Sequence, residues 1–487
     1  MASLRLLLLL SLVAFINAKL GRQSESAIDE LERYIQEKKA EINQRYRLHY
    51  HVSAPVGWIN DPNGFSVYKG EYHLFYQFYP YDTVWGPMHW GHVVSPDLVN
   101  WQWLRTALLP EEEYCFSGSA VVDNDTLVLM YTAHIEDEDE EGFDQTQYLA
   151  FSDDGERFTK YEGNPVIPRP ENGSPHFRDP KTWKHGDYWY TVIGARTIDD
   201  RGTVLLYRSP DLFDWEFLTD LGESDGTMGF MWECPDFFEL AGKYVLLLSP
   251  EGVEPPPGGL YRSHITGYII GSFNYTTYEF IPEVEFQELD YGHDFYAAQT
   301  TDRDGKRYVV GWFNMWGVDH PENVDGWAGA LTLIRELQLY GNRLLMKPVD
   351  DQVTLRQGSI NVTLQTNYGV SFDATGEMIV EGDLDQDIVL ELTGNAGGQQ
   401  VWLRWNSVTK IVSVDRGNGD VRQVDWTPIG STSWRIFLDA STLELFCGEG
   451  EVVFSSRVYP DGGWLVFNRS VQPLQVTAFL LSRSIPV

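Results

Sequence analysis

Between residues 24 and 46 the apolar positions Ile28, Leu31, Ile35 and Ile42 recur at helical spacing with charges between them, which predicts an amphipathic helix. Beyond it the pattern changes. Short runs of Val, Tyr, Phe and Trp, such as Glu71-Tyr-His-Leu-Phe-Tyr-Gln-Phe78 and Tyr188-Trp-Tyr-Thr-Val192, alternate with Gly, Asp, Asn and Pro turns. β-branched and aromatic side chains suit a pleated surface, so this texture predicts an all-β chain. Strand-length runs continue after about residue 350, as in Asp387-Ile-Val-Leu-Glu-Leu392 and Trp402-Leu-Arg-Trp-Asn406.

A repeat lies within the first part. Ser95-Pro-Asp-Leu-Val-Asn-Trp101 and Ser209-Pro-Asp-Leu-Phe-Asp-Trp215 are nearly the same heptapeptide, 114 residues apart. Midway stands a degenerate copy, Ser152-Asp-Asp-Gly-Glu-Arg-Phe158, and a fainter one follows at Ser272-Phe-Asn-Tyr-Thr-Thr-Tyr278. A period near 57 suits a four-stranded blade, and residues 48–345 hold five of them. The fold class is therefore all-β: a five-bladed β-propeller followed by a C-terminal β-sandwich over 350–487. The sandwich lacks the repeat and is read as bracing the propeller.

On this grid Trp58-Ile-Asn-Asp-Pro-Asn-Gly64 sits at one phase of the repeat. Phe116-Ser-Gly-Ser-Ala120, His176-Phe-Arg-Asp-Pro180, Met231-Trp-Glu-Cys-Pro-Asp236 and Tyr291-Gly-His-Asp294 share roughly that phase. Equal phase in a propeller means equal radius. If this is the innermost strand, Asp61, Asp179 and Glu233 converge at one end of the central channel. Asp-Pro and Asn-Gly are turn dipeptides, so the plain alternative is three separate loop caps.

Composition narrows the reading. The net charge of −35 argues against nucleic-acid and anionic-membrane partners, both of which need basic patches. Residues 1–18, with Arg5, the apolar run Leu6 to Ile16 and Ala18, read as a secretory signal peptide, followed by a helical segment over 19–47. Asn124, Asn172, Asn274, Asn361 and Asn468 each begin an N-x-S/T sequon, consistent with a secreted glycoprotein. The acidic run Glu136 to Glu141 reads as an exposed loop. Cys115, Cys234 and Cys447 allow one bridge at most. His49 and His51 lack a third metal ligand nearby and are read as structural or surface residues.

Two carboxylates facing a sugar are the chemistry of glycoside hydrolysis, one acting as acid and the other, in retaining enzymes, as nucleophile. Asp61 lies among hydrogen-bond donors that favour its charged form. Glu233, between Trp232 and Cys234, reads as the apolar carboxyl with a raised pKa, and Asp179 beside Arg178 reads as charged.

Trp58-Ile-Asn-Asp-Pro-Asn-Gly64, Phe116-Ser-Gly-Ser119, Arg178-Asp-Pro180 and Trp232-Glu-Cys-Pro-Asp236 together resemble the invertase or β-fructofuranosidase family, glycoside hydrolase family 32. Weaker matches are Phe75-Tyr-Gln-Phe78, Trp85-Gly86, Leu289-Asp-Tyr-Gly-His-Asp-Phe295 and Gly326-Trp-Ala-Gly-Ala330. The resemblance implies that Asp61 is the nucleophile at C2 of a β-fructofuranosyl unit. Glu233 is then the acid/base, while Asp179 and Arg178 bind fructose and Asp179 stabilises the transition state. It places Asn60, Gln77, Trp85, Phe116, Ser117 and Asp236 around the fructose, makes Cys234 a neighbour that tunes Glu233, and requires no metal or organic cofactor. Sucrose is the substrate it suggests. An inulin- or levan-cleaving enzyme and a fructosyltransferase share the same fructose pocket, and a non-catalytic sugar-binding protein is the alternative from another class.

Overall fold

The computed structural model describes residues 26–137, 142–253, 263–383, 385–417 and 419–486. The expected signal peptide at 1–18 lies outside the described residues, as do positions 138–141 of the acidic run. Five sheets form a five-bladed propeller. The innermost strands are Gly57–Tyr68, Tyr114–Asp123, Phe177–His185, Met231–Leu240 and Tyr296–Arg303, and each pairs antiparallel with the strand that follows it. The ring closes after Trp312. The chain crosses back so that Trp327–Ala328 pairs in parallel with Gly57 and Trp58 of the first blade, then returns to complete the fifth blade with Arg335–Tyr340 and Arg343–Pro348.

The heptapeptide repeat is the turn between the third and fourth strands of a blade. Asp97 Oδ1 accepts from the backbone N–H groups of Val99 and Asn100, at 3.0 and 2.7 Å. Asp154 and Asp211 make the matching pairs of bonds in the second and third blades. The residue three past each leading Ser, namely Leu98, Gly155 and Leu212, is left-handed. The Asp side chain closes the turn locally, which is why the motif recurs wherever that turn does.

The N-terminal helix spans 26–39 and ends before the expected 46. Ile28, Leu31 and Ile35 are buried along it. Past residue 39 the chain leaves the helix axis because Glu41 and Ile42 bond back three residues and the N–H of Asn43 is taken by the Asp325 carbonyl. Ile42 still packs on the core, though from a loop.

A six-stranded and a seven-stranded antiparallel sheet enclose a second core around Trp405, Trp434, Trp464 and Leu445. They make the β-sandwich. Its strand Val452–Arg457 receives the segment 290–294: the N–H groups of Tyr291 and Asp294 donate to the Val453 and Ser455 carbonyls. This corrects the fifth phase assignment. Tyr291-Gly-His-Asp294 docks on the sandwich, and the fifth inner strand begins at Tyr296. The junction is charged and buried. His51 is held between Asp439 (2.9 Å) and Glu444 (3.0 Å), and Arg335 joins Asp290 (2.7 Å) to Glu444 (2.8 Å), all with fully buried side chains. The three cysteines are all free thiols.

Candidate active site

All five inner strands carry a surplus residue at the same level. Asn60-Asp61, Phe116-Ser117, Asp179-Pro180, Cys234-Pro235 and Ala297-Ala298 each stand two against one opposite the neighbouring strand. A bulge bends its strand and re-aims the flanking side chains. Three of these bulges contain a non-glycine residue with positive φ: Asp179 (66°), Cys234 (48°) and Ala297 (53°). Such conformations cost about 1–3 kcal/mol each and gather at functional sites.

The register makes Arg178, Glu233 and Tyr296 equivalent residues of consecutive blades, each just ahead of its bulge. They form one chain of hydrogen bonds. Arg178 donates from Nε (3.1 Å) and Nη2 (2.7 Å) to Glu233 Oε1, and Tyr296 donates to Glu233 Oε2 at 2.5 Å. Arg178 Nη2 also donates to Glu251 Oε2 at 3.2 Å. Asp61 lies across the channel. Ser117 Oγ donates to its Oδ2 at 2.6 Å, and Asn60 Nδ2 to its Oδ1 at 3.1 Å. Asn60 is itself fixed by Trp58 Nε1 at 2.9 Å. Asp179 Oδ2 accepts from the Cys234 N–H at 2.9 Å. The Cys234 thiol stands 3.5 Å from Asp61 and 3.6 Å from Asp179. Its contacts therefore bridge the two aspartates, where the sequence reading had placed it as a neighbour of Glu233.

Charge is distributed differently from the local sequence reading. Burial raises the Asp61 carboxyl, aided by the charge of Glu233 and opposed by the Ser117 and Asn60 hydrogen bonds. Burial also pushes Asp179 up to about 7, with Glu233 and Asp61 adding to the rise against Arg178. Burial acts upward on Glu233 as well, but the Arg178 charge and the bonds from Tyr296 and Arg178 outweigh it and hold Glu233 below the usual carboxylate range. The sequence reading had the order reversed because it assigned Arg178 to its chain neighbour Asp179. The guanidinium instead reaches the next blade. Glu251 is raised to about 7 by burial and by Glu233.

Arg178, Glu233 and Glu251 open into a cleft of about 270 Å³ whose other lining residues are Trp85, Phe116, His134, Phe143, Gln145, His176, His264 and Trp316. Trp85 is 39% exposed at the rim and meets Phe116 edge-on. Phe116 stacks on His134 at 4.2 Å. Such flat apolar faces suit the C–H faces of a sugar ring. Gln77 is buried opposite the first bulge and donates to the Cys115 carbonyl at 2.8 Å. Asp236 is placed otherwise. Past the bulge it rejoins the regular ladder opposite Leu247, and its Oδ2 is taken by Thr300 (N and Oγ1, both 2.8 Å) and Lys181. It faces the larger cavity formed by the far halves of the inner strands and not the sugar cleft expected for it.

Sequence reasoning missed Tyr296, Glu251, His176 and His264. For Tyr296 a signal existed: it is the fifth-blade counterpart of Arg178 and Glu233, a few residues past the assigned phase. Glu251 and His264 reach the cleft from second-strand and loop positions that the phase count does not cover.

Paired carboxylates in an aromatic-walled cleft on a five-bladed propeller define a glycoside-cleaving enzyme. Residues 51–348 match the glycosyl hydrolases family 32 N-terminal domain, and 345–476 match the family 32 C-terminal domain. The chain belongs to glycosyl hydrolase family 32 and is a glycoside hydrolase. It is similar to a Bombyx mori GH32 beta-fructofuranosidase at 58% identity and a TM-score of 0.93, covering 95% of this chain and 100% of that one. A mutant of that enzyme in complex with sucrose matches at 57% identity and the same TM-score and coverage. A sucrose-6-phosphate hydrolase of Zymomonas mobilis is 40% identical over 446 residues, 85% of this chain and 86% of its own.

Proposed function

We propose that the protein is a secreted, retaining β-fructofuranosidase that hydrolyses sucrose to glucose and fructose. The observation that carries this reading is the convergence of Asp61, Asp179 and Glu233 on one channel mouth, with Arg178 and Cys234 linking them. The fructosyl unit lies against Asp61 and Asp179, and the glucosyl unit extends into the cleft past Glu233.

In the first step an Asp61 carboxylate oxygen attacks the anomeric C2. The C2–O bond to glucose breaks, and Glu233 gives its proton to that departing oxygen. Positive charge developing on the ring is stabilised by Asp179. In the second step Glu233, now a carboxylate, takes a proton from water. The hydroxide attacks C2, the ester to Asp61 breaks, and fructose leaves with its starting configuration. Arg178 favours the carboxylate of Glu233 whereas burial raises Asp61 and Asp179, so the three titrate as a coupled set and the productive state is the one with the proton on Glu233. A substrate oxygen that engages Arg178 loosens its hold on Glu233 and favours that state. Secretion is supported by the exposed positions of Asn124, Asn172, Asn274 and Asn361.

The test is to follow free glucose and free fructose separately from sucrose, and the anomer of fructose formed first by NMR. Equal release with β-fructofuranose appearing first fits the proposal. Glucose running ahead of fructose means transfer to a second sugar, and α-fructofuranose first means inversion.

A further inference from the structure

We propose that Glu251 makes the cleft selective for the unphosphorylated disaccharide, its carboxylate on the leaving-group side repelling a phosphorylated glucosyl unit. This rests on the reading of Asp61 and Glu233 given above and names the determinant that separates sucrose from sucrose 6-phosphate.

Glu251 ends the second strand of the fourth blade, Lys243–Glu251, opposite Met231 and two residues from the register of Glu233. Arg178 Nη2 reaches both acids, Glu233 at 2.7 Å and Glu251 at 3.2 Å. Glu251 is the outer of the two, with a side chain 27% exposed against 17% for Glu233. Since Glu233 must touch the leaving oxygen, Glu251 stands beside the glucosyl unit.

A phosphate dianion there needs cations. Among the described residues lining the cleft, Arg178 is the one Arg or Lys. Its Nε and Nη2 face Glu233, Nη2 also faces Glu251, and Nη1 meets His176 Nδ1 at 2.9 Å. The lining imidazoles are neutral near pH 7. Burial and the Arg178 charge bring His134 and His176 down to about 4, and burial lowers His264, whose Nε2 is 3.9 Å from Glu251. Arg196 faces His176 from the third blade and is paired with Asp200. The cleft thus offers the phosphate two carboxylates and one guanidinium already shared between them. A compact space of 270 Å³ is about 8 Å across, no more than one Debye length in physiological salt, so a phosphate inside it cannot escape the Glu251 charge.

The experiment compares kcat/KM for sucrose and sucrose 6-phosphate at about pH 8, above the raised Glu251 value of about 7 so that its carboxylate is mostly ionised, in the full-length enzyme and in Glu251→Gln and Glu251→Asp. The wild type should prefer sucrose by at least about tenfold. Glu251→Gln should shrink that ratio by about tenfold, whatever it does to both rates together, and Glu251→Asp should keep it. Glucose 6-phosphate should also inhibit the wild type at least about tenfold more weakly than glucose, a measurement that needs no variant. A wild type cleaving both sugars equally well, or an unchanged ratio in Glu251→Gln, overturns the proposal. A wild type that cleaves neither sugar overturns instead the sucrose-hydrolase reading on which it rests.

Discussion

Arg178 sends two hydrogen bonds from one guanidinium to a single oxygen of Glu233, across a blade boundary and 55 residues along the chain. That oxygen belongs to the residue proposed to donate a proton, so the pair sets the basic limb of activity.

Replacing Arg178 by Leu removes the positive charge and two donors that depress Glu233. Burial then acts with less opposition, and the Glu233 pKa rises. Glu233 stays protonated to higher pH, so the basic limb of the kcat/KM profile should move upward. The rate itself should fall by about 10²-fold or more through lost substrate contacts. A basic limb that stays in place would mean another group sets it.

Asp61→Ala should lose at least about 10³-fold in kcat while remaining folded by circular dichroism. Glu233→Gln should lose about 10²–10⁴-fold and flatten the basic limb. With a leaving group that needs no protonation, its first step should recover while that of Asp61→Ala should not. Comparable recovery in both variants would contradict the division of roles.

Stability should have a window set at the domain junction. The His51 pKa is raised: burial opposes the charge, but the bonds to Asp439 and Glu444 outweigh it. Its contribution is complete below the ordinary histidine value of 6.5 and is lost as pH climbs through the raised value. Asp439 and Glu444 are lowered by His51 and Arg335 against their burial. Their contribution is present above the ordinary values of 3.8 and 4.5 and is lost as pH falls through the depressed ones. The melting temperature should therefore peak in mildly acid solution. His51→Leu, which leaves two buried carboxylates without their partner, should cost about 3–5 kcal/mol. Measuring Tm against pH for both proteins checks the sign.

The five sequons should not behave alike. Asn124, Asn172, Asn274 and Asn361 are exposed. Asn468 is fully buried, and its Nδ2 donates to the Leu364 and Gln472 carbonyls at 2.8 and 3.0 Å. Its amide is committed to the sandwich, which corrects its reading as a surface acceptor. Protein from a glycosylating secretory host should carry glycans at some or all of the first four. Asn468→Ala should lower Tm without changing glycan mass, and peptide mass spectrometry decides between these outcomes.

What the sequence made legible was local. The Ser-Pro-Asp turns are closed by side chains two or three residues away, so they recur in sequence and reveal the blades. Asp61, Asp179 and Glu233 share a phase because their strands share a radius. The protonation order was not legible, since it depends on which blade Arg178 reaches and not on which residue it follows. The helix end near 39 depends on the Asp325 carbonyl, and the pairing of His51 with Asp439 spans 388 residues. The place of Asp236 hinged on a bulge that no residue type announces.

The five surplus residues at one level have a wider consequence. Strand pairing resumes on both sides of each bulge, so the ring behaves as five sockets in a fixed frame. Three of them place acids, either in the socket or at its edge. That in the second blade holds Ser117, which donates to Asp61, and that in the fifth holds Ala297 and Ala298, both packed into hydrophobic clusters. New chemistry can enter such a scaffold one socket at a time, most readily at a polar position such as Ser117, which lies outside the hydrophobic clusters that hold Phe116, Cys234, Ala297 and Ala298.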